Sequence, residues 1–233
     1  MHGSAWGVER GDSRVLRRGG AGATEGAAGG DASDPVDAAA DSWDGAADAV
    51  TGSRLSKTAK ARGSNDSKGA PFREESDRLL RDAVALRGDP EWVAMREFRD
   101  ALPIASLRDE LLRSLRSRDA AVVCGETGSG KTTQVPQYLL DDAIDAGVGA
   151  GCRVICTQPR RVAALTVAER VAKERCERNG VGGCGSLVGH HVRLDAAVTR
   201  DTRLVFMTAG VLLRKMHGDP LLTEASHVVL DEI

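Results

Sequence analysis

Residues 125–132 read Gly-Glu-Thr-Gly-Ser-Gly-Lys-Thr, and this octapeptide satisfies the phosphate-binding pattern G-x-x-x-x-G-K-S/T in full. It follows the short apolar run Ala120–Cys124, which we predict as a strand. It also opens a helical pattern that runs from Lys131 to about Ala146. A loop between a strand and a helix surrounds a phosphate with backbone N–H groups and directs the positive end of the helix dipole at it. The sequence therefore predicts a P-loop that binds a nucleoside triphosphate.

Each part of the loop has an expected role. The glycines let the backbone wrap the phosphates, Lys131 supplies a positive charge to the β- and γ-phosphate oxygens, and the Thr132 hydroxyl is suited to hold Mg²⁺. A P-loop alone does not distinguish kinases, GTPases, transporters and motors. The predicted nucleotide-binding residues are Gly125, Glu126, Thr127, Gly128, Ser129, Gly130, Lys131, Thr132 and Thr133.

A pair of carboxylates near the end of the chain completes the expected site. His227–Leu230 is an apolar run that we predict as a strand, and Asp231 and Glu232 follow it directly. Asp231 is placed to hold Mg²⁺ through a water, and Glu232 is placed to polarise the attacking water. With Lys131, these are the predicted catalytic residues, and the pair favours an ATPase over a small-molecule kinase.

Short β-branched runs alternate with helical patterns after residue 120, which predicts an α/β fold with a parallel sheet covered by helices on both faces. Three helices are expected before the P-loop, the third capped by Ser106. The predicted strands are Ala120–Cys124, Arg153–Thr157, Leu187–Leu194, Arg203–Met207 and His227–Leu230; helices are expected from Lys131 to about Ala146, over Val162–Arg178 and through Met216.

The first third of the chain has a different composition. Residues 1–70 contain 13 Gly and 15 Ala but only two Leu, four Val and no Ile or Phe. So few large aliphatic residues cannot offset the entropy cost of ordering the chain. We therefore predict a disordered low-complexity tail over 1–75, a helical leader over 76–119 and a partial ATP-binding domain over 120–233.

Overall composition excludes several classes. The 32 Lys plus Arg against 34 Asp plus Glu exclude a polybasic binder, and 3% aromatics argue against single-strand binding on rows of stacked rings. There is no membrane-length apolar run and no secretory signal. The five cysteines match no zinc spacing, and we expect mostly buried, reduced thiols. An intracellular protein is expected, in the cytoplasm or nucleus, with an organelle left open.

Five stretches together resemble the DEAH/DExH-box RNA helicases of superfamily 2. The P-loop and its extension resemble motif I, and the remaining stretches resemble motif Ia, a VGY-like stretch with His190 where Tyr is usual, motif Ib and a motif II that reads DEI. Ile233 makes motif II look like DEIH, the branch that includes RNA helicase A and G-quadruplex-resolving enzymes. The stretches are GETGSGKTTQVPQYLLDD at 125–142, TQPRRVAA at 157–164, VGHHVRLD at 188–195, MTAGVLLR at 207–214 and LDEI at 230–233.

The resemblance implies an incomplete RecA-like lobe of an ATP-dependent RNA helicase that uses ATP or another NTP with Mg²⁺. It implies that Arg170 stacks on the adenine base, and that a second RecA-like lobe completes the full-length protein. It also implies RNA contacts through phosphate and sugar, which need no bulk positive charge. The RNA-binding residues implied are Arg160, Arg161, Thr208 and Gly210.

Two alternatives remain open at this point. One is a different P-loop ATPase, such as an ABC-type or DNA-repair motor, although no LSGGQ-like signature is present. The other is a truncated, non-catalytic product that binds RNA or nucleotide and shares every motif. Because the sequence stops inside motif II, we expect an N-terminal fragment with little ATPase or unwinding activity of its own.

Overall fold

The computed structural model describes residues 69–232, so most of the predicted tail and Ile233 lie outside the described residues. The first helix, α1, begins at Gly69, inside the range predicted for the tail. The helices are α1 Gly69–Leu86, α2 Pro90–Asp100, α3 Arg108–Ser117, α4 Lys131–Asp145, α5 Arg161–Glu174 and α6 Ala209–Gly218, with 3₁₀ turns at Pro103–Leu107 and Gly149–Gly151. The strands are β1 Val154–Gln158, β2 Val188–Val192, β3 Asp195–Ala197, β4 Leu204–Thr208 and β5 His227–Leu230.

The five strands form one sheet in the order β3-β2-β4-β1-β5. Strands β2, β4, β1 and β5 are parallel, and only the short β3 runs antiparallel, against β2. Strand β1 lies between β4 and β5, and it pairs Gln158 with Thr208 of β4 and Thr157 with Leu230 of β5. The carboxyl ends of these three strands therefore meet at one edge of the sheet.

Both faces of the sheet are covered. Side chains alternate between the two faces along each strand, so neighbouring residues of one strand pack against different helices. Ile155, Val205 and Met207 pack on one face with Leu212 of α6. The alternate residues of the same strands, such as Phe206, pack on the other face in a cluster with α4, α5 and the leader. The predicted α/β class, with a mainly parallel sheet, is confirmed.

In the structure the leader comprises α1 to α3 with the 3₁₀ turn at Pro103–Leu107, and it packs onto the lobe. Ile104, in the 3₁₀ turn after α2, is fully buried, and its backbone N–H donates to the Ser129 carbonyl at 3.1 Å. At α1, Glu75 accepts a hydrogen bond of 2.8 Å from the guanidinium of Arg203, which precedes β4. The leader is thus joined both to the P-loop and to the sheet.

A charged cluster adds to this docking. Asp141 of α4 accepts hydrogen bonds from Arg99 of α2 at 3.0 Å and from Arg175 at 2.7 Å. Burial would raise the pKa of the Asp141 carboxyl, but the charges of Arg175 and Arg99 outweigh it and hold that pKa below its usual value. The carboxylate therefore stays ionised and bridges the leader to the lobe.

Two local predictions differ from the structure. Ala120–Cys124 forms no strand, and only an isolated bridge occurs at Val123. Val122 is 60% exposed, and among residues 69–232 this apolar run is not one of the strands. Ser106 does not cap α3: its hydroxyl donates to the Pro103 carbonyl, and Leu107 is the N-cap. A 3₁₀ turn has taken the place of the predicted helix start.

The cysteines are less buried than expected. All five are free thiols, and only Cys152 and Cys156 are buried, whereas Cys124 and Cys184 are exposed. Burial raises the pKa of Cys152 to about 11 and also raises that of Cys156, so both remain protonated at neutral pH. Along residues 69–232, no helix has the length and apolar character needed to cross a membrane.

We expect the Ile104→Ala variant to lower the free energy of unfolding by about 3 kcal/mol, because it leaves a cavity between the leader and the P-loop. The control Val122→Ala removes an exposed side chain and should change stability by less than about 0.5 kcal/mol. Urea unfolding followed by circular dichroism measures both. Equal midpoints for the two variants would show that the leader does not stabilise the lobe.

Candidate nucleotide and nucleic-acid site

The P-loop turns tightly over the first turn of α4. Gly128 and Gly130 have φ angles of +83° and +96°. Residues with a Cβ atom rarely adopt such angles, whereas glycine does so readily. Gly130 is the N-cap of α4, and its carbonyl accepts the Gln134 N–H at 2.8 Å. The loop therefore ends at a helix N-terminus, where unpaired N–H groups and the helix dipole favour an anion.

The Lys131 ammonium lies inside this loop. Its Nζ donates to the carbonyl oxygens of Gly125 at 2.6 Å and Glu126 at 2.7 Å, and lies 3.4 Å from the Ser129 hydroxyl. Among residues 69–232, the hydrogen-bond partners of this ammonium are neutral oxygens, and no carboxylate forms an ion pair with it. The position thus suits an incoming anion that replaces these contacts.

The remaining P-loop residues surround this ammonium. Glu126 and Thr127 lie in the exposed turn, whereas Ser129 is buried. Thr132 and Thr133 occupy the first turn of α4 and are half-buried. The Thr133 hydroxyl accepts a hydrogen bond of 2.8 Å from Gln134 Nε2, so Thr133 is engaged inside the protein.

The predicted carboxylates lie at the carboxyl end of β5. Asp231 Oδ2 accepts a hydrogen bond of 2.7 Å from Gln158 Nε2 at the end of β1. Glu232 is exposed and has a φ of +53°. Within the described residues no hydrogen bond joins either carboxylate to the P-loop.

The residues expected to contact RNA follow the neighbouring strands β1 and β4. Arg160 and Arg161 begin α5, and both are exposed. Thr208 ends β4 as the N-cap of α6, and Gly210 lies in the first turn of that helix. Because Thr208 is paired with Gln158, these four residues occupy one edge of the sheet, on the other side of β1 from Asp231.

Arg170 lies on α5 and is held from two sides. Its Nε donates to Glu174 Oε1 at 2.9 Å, and its guanidinium carbon is 5.9 Å from the centre of the Phe98 ring on α2. The side chain is still 55% exposed. It is therefore oriented and accessible.

Sequence reasoning missed a buried polar network behind these residues. Glu174, 3% exposed, accepts hydrogen bonds on Oε2 from Gln134 at 2.8 Å and Gln137 at 2.9 Å. Gln134 Oε1 in turn accepts from Arg99 Nε at 2.9 Å. The network joins α2, α4 and α5. In the sequence, the one feature that could indicate this network is that Gln134 and Gln137 lie among apolar residues of the P-loop extension.

The architecture is that of a partial RecA-like α/β lobe that carries a P-loop. A family model described as DEAD/DEAH box helicase matches residues 106–233. This chain belongs to the DEAD/DEAH box helicase family, and the predicted DEAH/DExH-box resemblance is confirmed.

Individual relatives agree with this assignment. The chain is 52% identical over 139 residues to "DExH-box ATP-dependent RNA helicase DExH4, chloroplastic" of Arabidopsis thaliana. This alignment covers 60% of this chain and 10% of that protein. It is 41% identical over 157 residues to human "ATP-dependent DNA/RNA helicase DHX36", covering 67% of this chain and 15% of that protein. A putative DEAH-box ATP-dependent helicase of Mycosarcoma maydis is 46% identical over 166 residues, with coverage of 69% and 11%. The matched part of the chain thus spans 10–15% of these relatives.

We expect the two left-handed glycines to respond differently to alanine. At Gly130 a Cβ would lie 3.1 Å from side-chain atoms of Ile104 and Leu102, whereas at Gly128 it meets nothing within 4 Å. Gly128→Ala should therefore lower the free energy of unfolding by about 1 kcal/mol from backbone strain alone, and Gly130→Ala by about 2–3 kcal/mol. Urea titration compares the two, and equal losses would contradict the packing of the leader against the loop.

Proposed function

We propose that this chain binds ATP or another nucleoside triphosphate with Mg²⁺, and that it acts as part of an ATP-dependent RNA helicase in which hydrolysis drives RNA remodelling. The observation that carries the proposal is the Lys131 ammonium, held by carbonyl oxygens inside a glycine loop at the N-terminus of α4. Family membership supports the same function.

The P-loop would bind the triphosphate by exchange of contacts. Lys131 gives up the carbonyls of Gly125 and Glu126 and donates to the β- and γ-phosphate oxygens, which are charged and therefore stronger acceptors. Backbone N–H groups of the loop and of the first turn of α4 bind the remaining oxygens. The predicted nucleotide-binding set, from Gly125 to Thr133, acts as this cradle.

The donor set suits Mg²⁺, since a hydroxyl and a carboxylate are oxygen ligands of the kind that this cation prefers. Thr132 would hold it on the P-loop side and Asp231 on the sheet side. An ion held there would neutralise charge on the phosphates. The hydrogen bond from Gln158 to Asp231 Oδ2 leaves Oδ1 for the ion or its waters. Glu232, exposed beside Asp231, would orient and polarise the attacking water.

RNA would lie across the edge of the sheet formed after β1 and β4. Arg160 and Arg161 offer guanidinium groups to phosphates, and Thr208 and Gly210 offer a hydroxyl and an accessible backbone. Contacts of this kind hold the RNA backbone without reading its sequence. In the full-length protein a second RecA-like lobe would face this edge and complete the motor.

The test of nucleotide binding is Lys131→Ala. The variant loses charge-assisted hydrogen bonds to the phosphates, so we expect its affinity for a fluorescent ATP analogue in Mg²⁺ buffer to fall at least about 100-fold. Lys173→Ala makes the same chemical change on an exposed position of α5 and should bind normally. Unchanged affinity of the Lys131→Ala variant would remove the basis for the proposed function.

A second test addresses RNA. Arg161→Ala should weaken binding of single-stranded RNA about equally for all sequences and reduce the slope of log affinity against log salt by about 1, as loss of one phosphate contact predicts. The control Arg113→Ala removes an exposed arginine of α3. If both variants show the wild-type slope, Arg161 does not contact the RNA backbone.

A further inference from the structure

The exposed aromatic ring of Phe98 is unusual for its position. It is 48% exposed on α2, a helix whose one buried residue is Arg99. The guanidinium carbon of Arg170 lies 5.9 Å from the centre of this ring, within the range of a cation–π interaction. Phe98 thus belongs to the helical leader but contacts a residue of the motor lobe.

A second contact fixes the same guanidinium. Arg170 Nε donates to Glu174 Oε1 at 2.9 Å. Glu174 is itself immobilised, because its other oxygen accepts from Gln134 and Gln137. One edge of the Arg170 guanidinium is therefore held by a buried carboxylate, and the ring of Phe98 lies beside it.

Phe98 and the P-loop are also joined through neighbouring residues. Arg99, next to Phe98 on α2, donates to Gln134 Oε1, and Gln134 lies in the turn of α4 that begins at Lys131. Gln134 Nε2 then donates to Glu174. Through Gln134, helix α2 is therefore hydrogen-bonded to α4, whose first residue is Lys131. The same amide joins it to Glu174, the carboxylate that binds Arg170.

We propose that Phe98 is a positioning residue of the nucleotide site. It packs against one side of the Arg170 guanidinium, so that the exposed side is presented to the nucleobase and the order of stacking is base, guanidinium, ring. The leader helix α2 is then a wall of the nucleotide site. This inference rests on the proposed nucleotide-binding function and on the base-stacking role of Arg170 that the resemblance to the DEAH/DExH-box helicases implies.

The experiment compares a ligand that has a base with one that lacks it. Affinities for ADP and for inorganic tripolyphosphate, both with Mg²⁺, are measured by calorimetry on the 233-residue chain. We expect Phe98→Leu to weaken ADP binding about 3- to 10-fold, as loss of a cation–π contact that pre-orients the arginine predicts, and to leave tripolyphosphate affinity unchanged. The control Val93→Ala, an exposed site on the same helix, should change neither.

A double-mutant cycle with Arg170→Ala completes the test. Arg170→Ala should weaken ADP binding, and adding Phe98→Leu to it should have no further effect. If Phe98→Leu also weakens tripolyphosphate binding, or still weakens ADP binding without Arg170, the positioning role is wrong.

The outcomes separate this inference from the function on which it rests. If Arg170→Ala weakens ADP binding and Phe98→Leu does not, the positioning role fails and the base-stacking role of Arg170 stands. If Arg170→Ala leaves ADP affinity unchanged while Lys131→Ala abolishes it, base stacking fails and the phosphate cradle stands. Both results would overturn the inference, for different reasons.

Discussion

The parallel pairing of β1 with β4 on one side and β5 on the other is the constraint on which the rest of this lobe depends. All five residues of β1 are buried, so a one-residue shift of its register would exchange the side chains of the two faces. The pairing also fixes where the polar ends of the strands lie. Gln158 is opposite Thr208, and its side chain reaches Asp231. Residues suited to an RNA backbone and residues suited to a metal ion are thereby placed on opposite sides of one strand.

The buried carboxylate of Glu174 is the second interaction that organises the molecule. A buried charge without partners is costly, and this one has three donors, from Gln134, Gln137 and Arg170. Leaving a buried hydrogen-bonding group without one of its partners typically costs about 1–3 kcal/mol, so a relative shift of α4 and α5 that breaks these bonds is disfavoured. The same oxygens that stabilise the packing of these helices also restrict the rotamers of Arg170. Stability and site geometry therefore have a common physical origin here.

Sequence patterns predicted much of the frame and little of this network. β5 occurs over His227–Leu230 as predicted, and α4 begins at Lys131, because apolar runs and glycine loops are local signals. The strand predicted over 120–124 is absent because a strand needs a neighbour, which composition does not reveal. Glu174 is the last residue of α5, and nothing in the local sequence pattern indicates that its side chain is buried. Its donors Gln134 and Gln137 lie 40 and 37 residues away, so only tertiary packing brings them together.

The chain has a near-neutral charge of −2 at pH 7. This charge is compatible with the proposed binding of a nucleotide and of RNA, because a few cationic groups at fixed positions can bind phosphates without a large net positive charge. Lys131 and the N-terminus of α4 form one such group, and the guanidinium groups that begin α5 form another. Gln134 connects the first to the leader and to α5 through both ends of a single amide: Oε1 accepts from Arg99, and Nε2 donates to Glu174. An amide cannot rotate without breaking both bonds. Gln137 of α4 donates to the same carboxylate, so two amides link α4, which begins at Lys131, to α5, which carries Arg170. The spacing of these two helices, and with it the separation between the lysine and the arginine, depends on this buried network, to which the leader contributes Arg99.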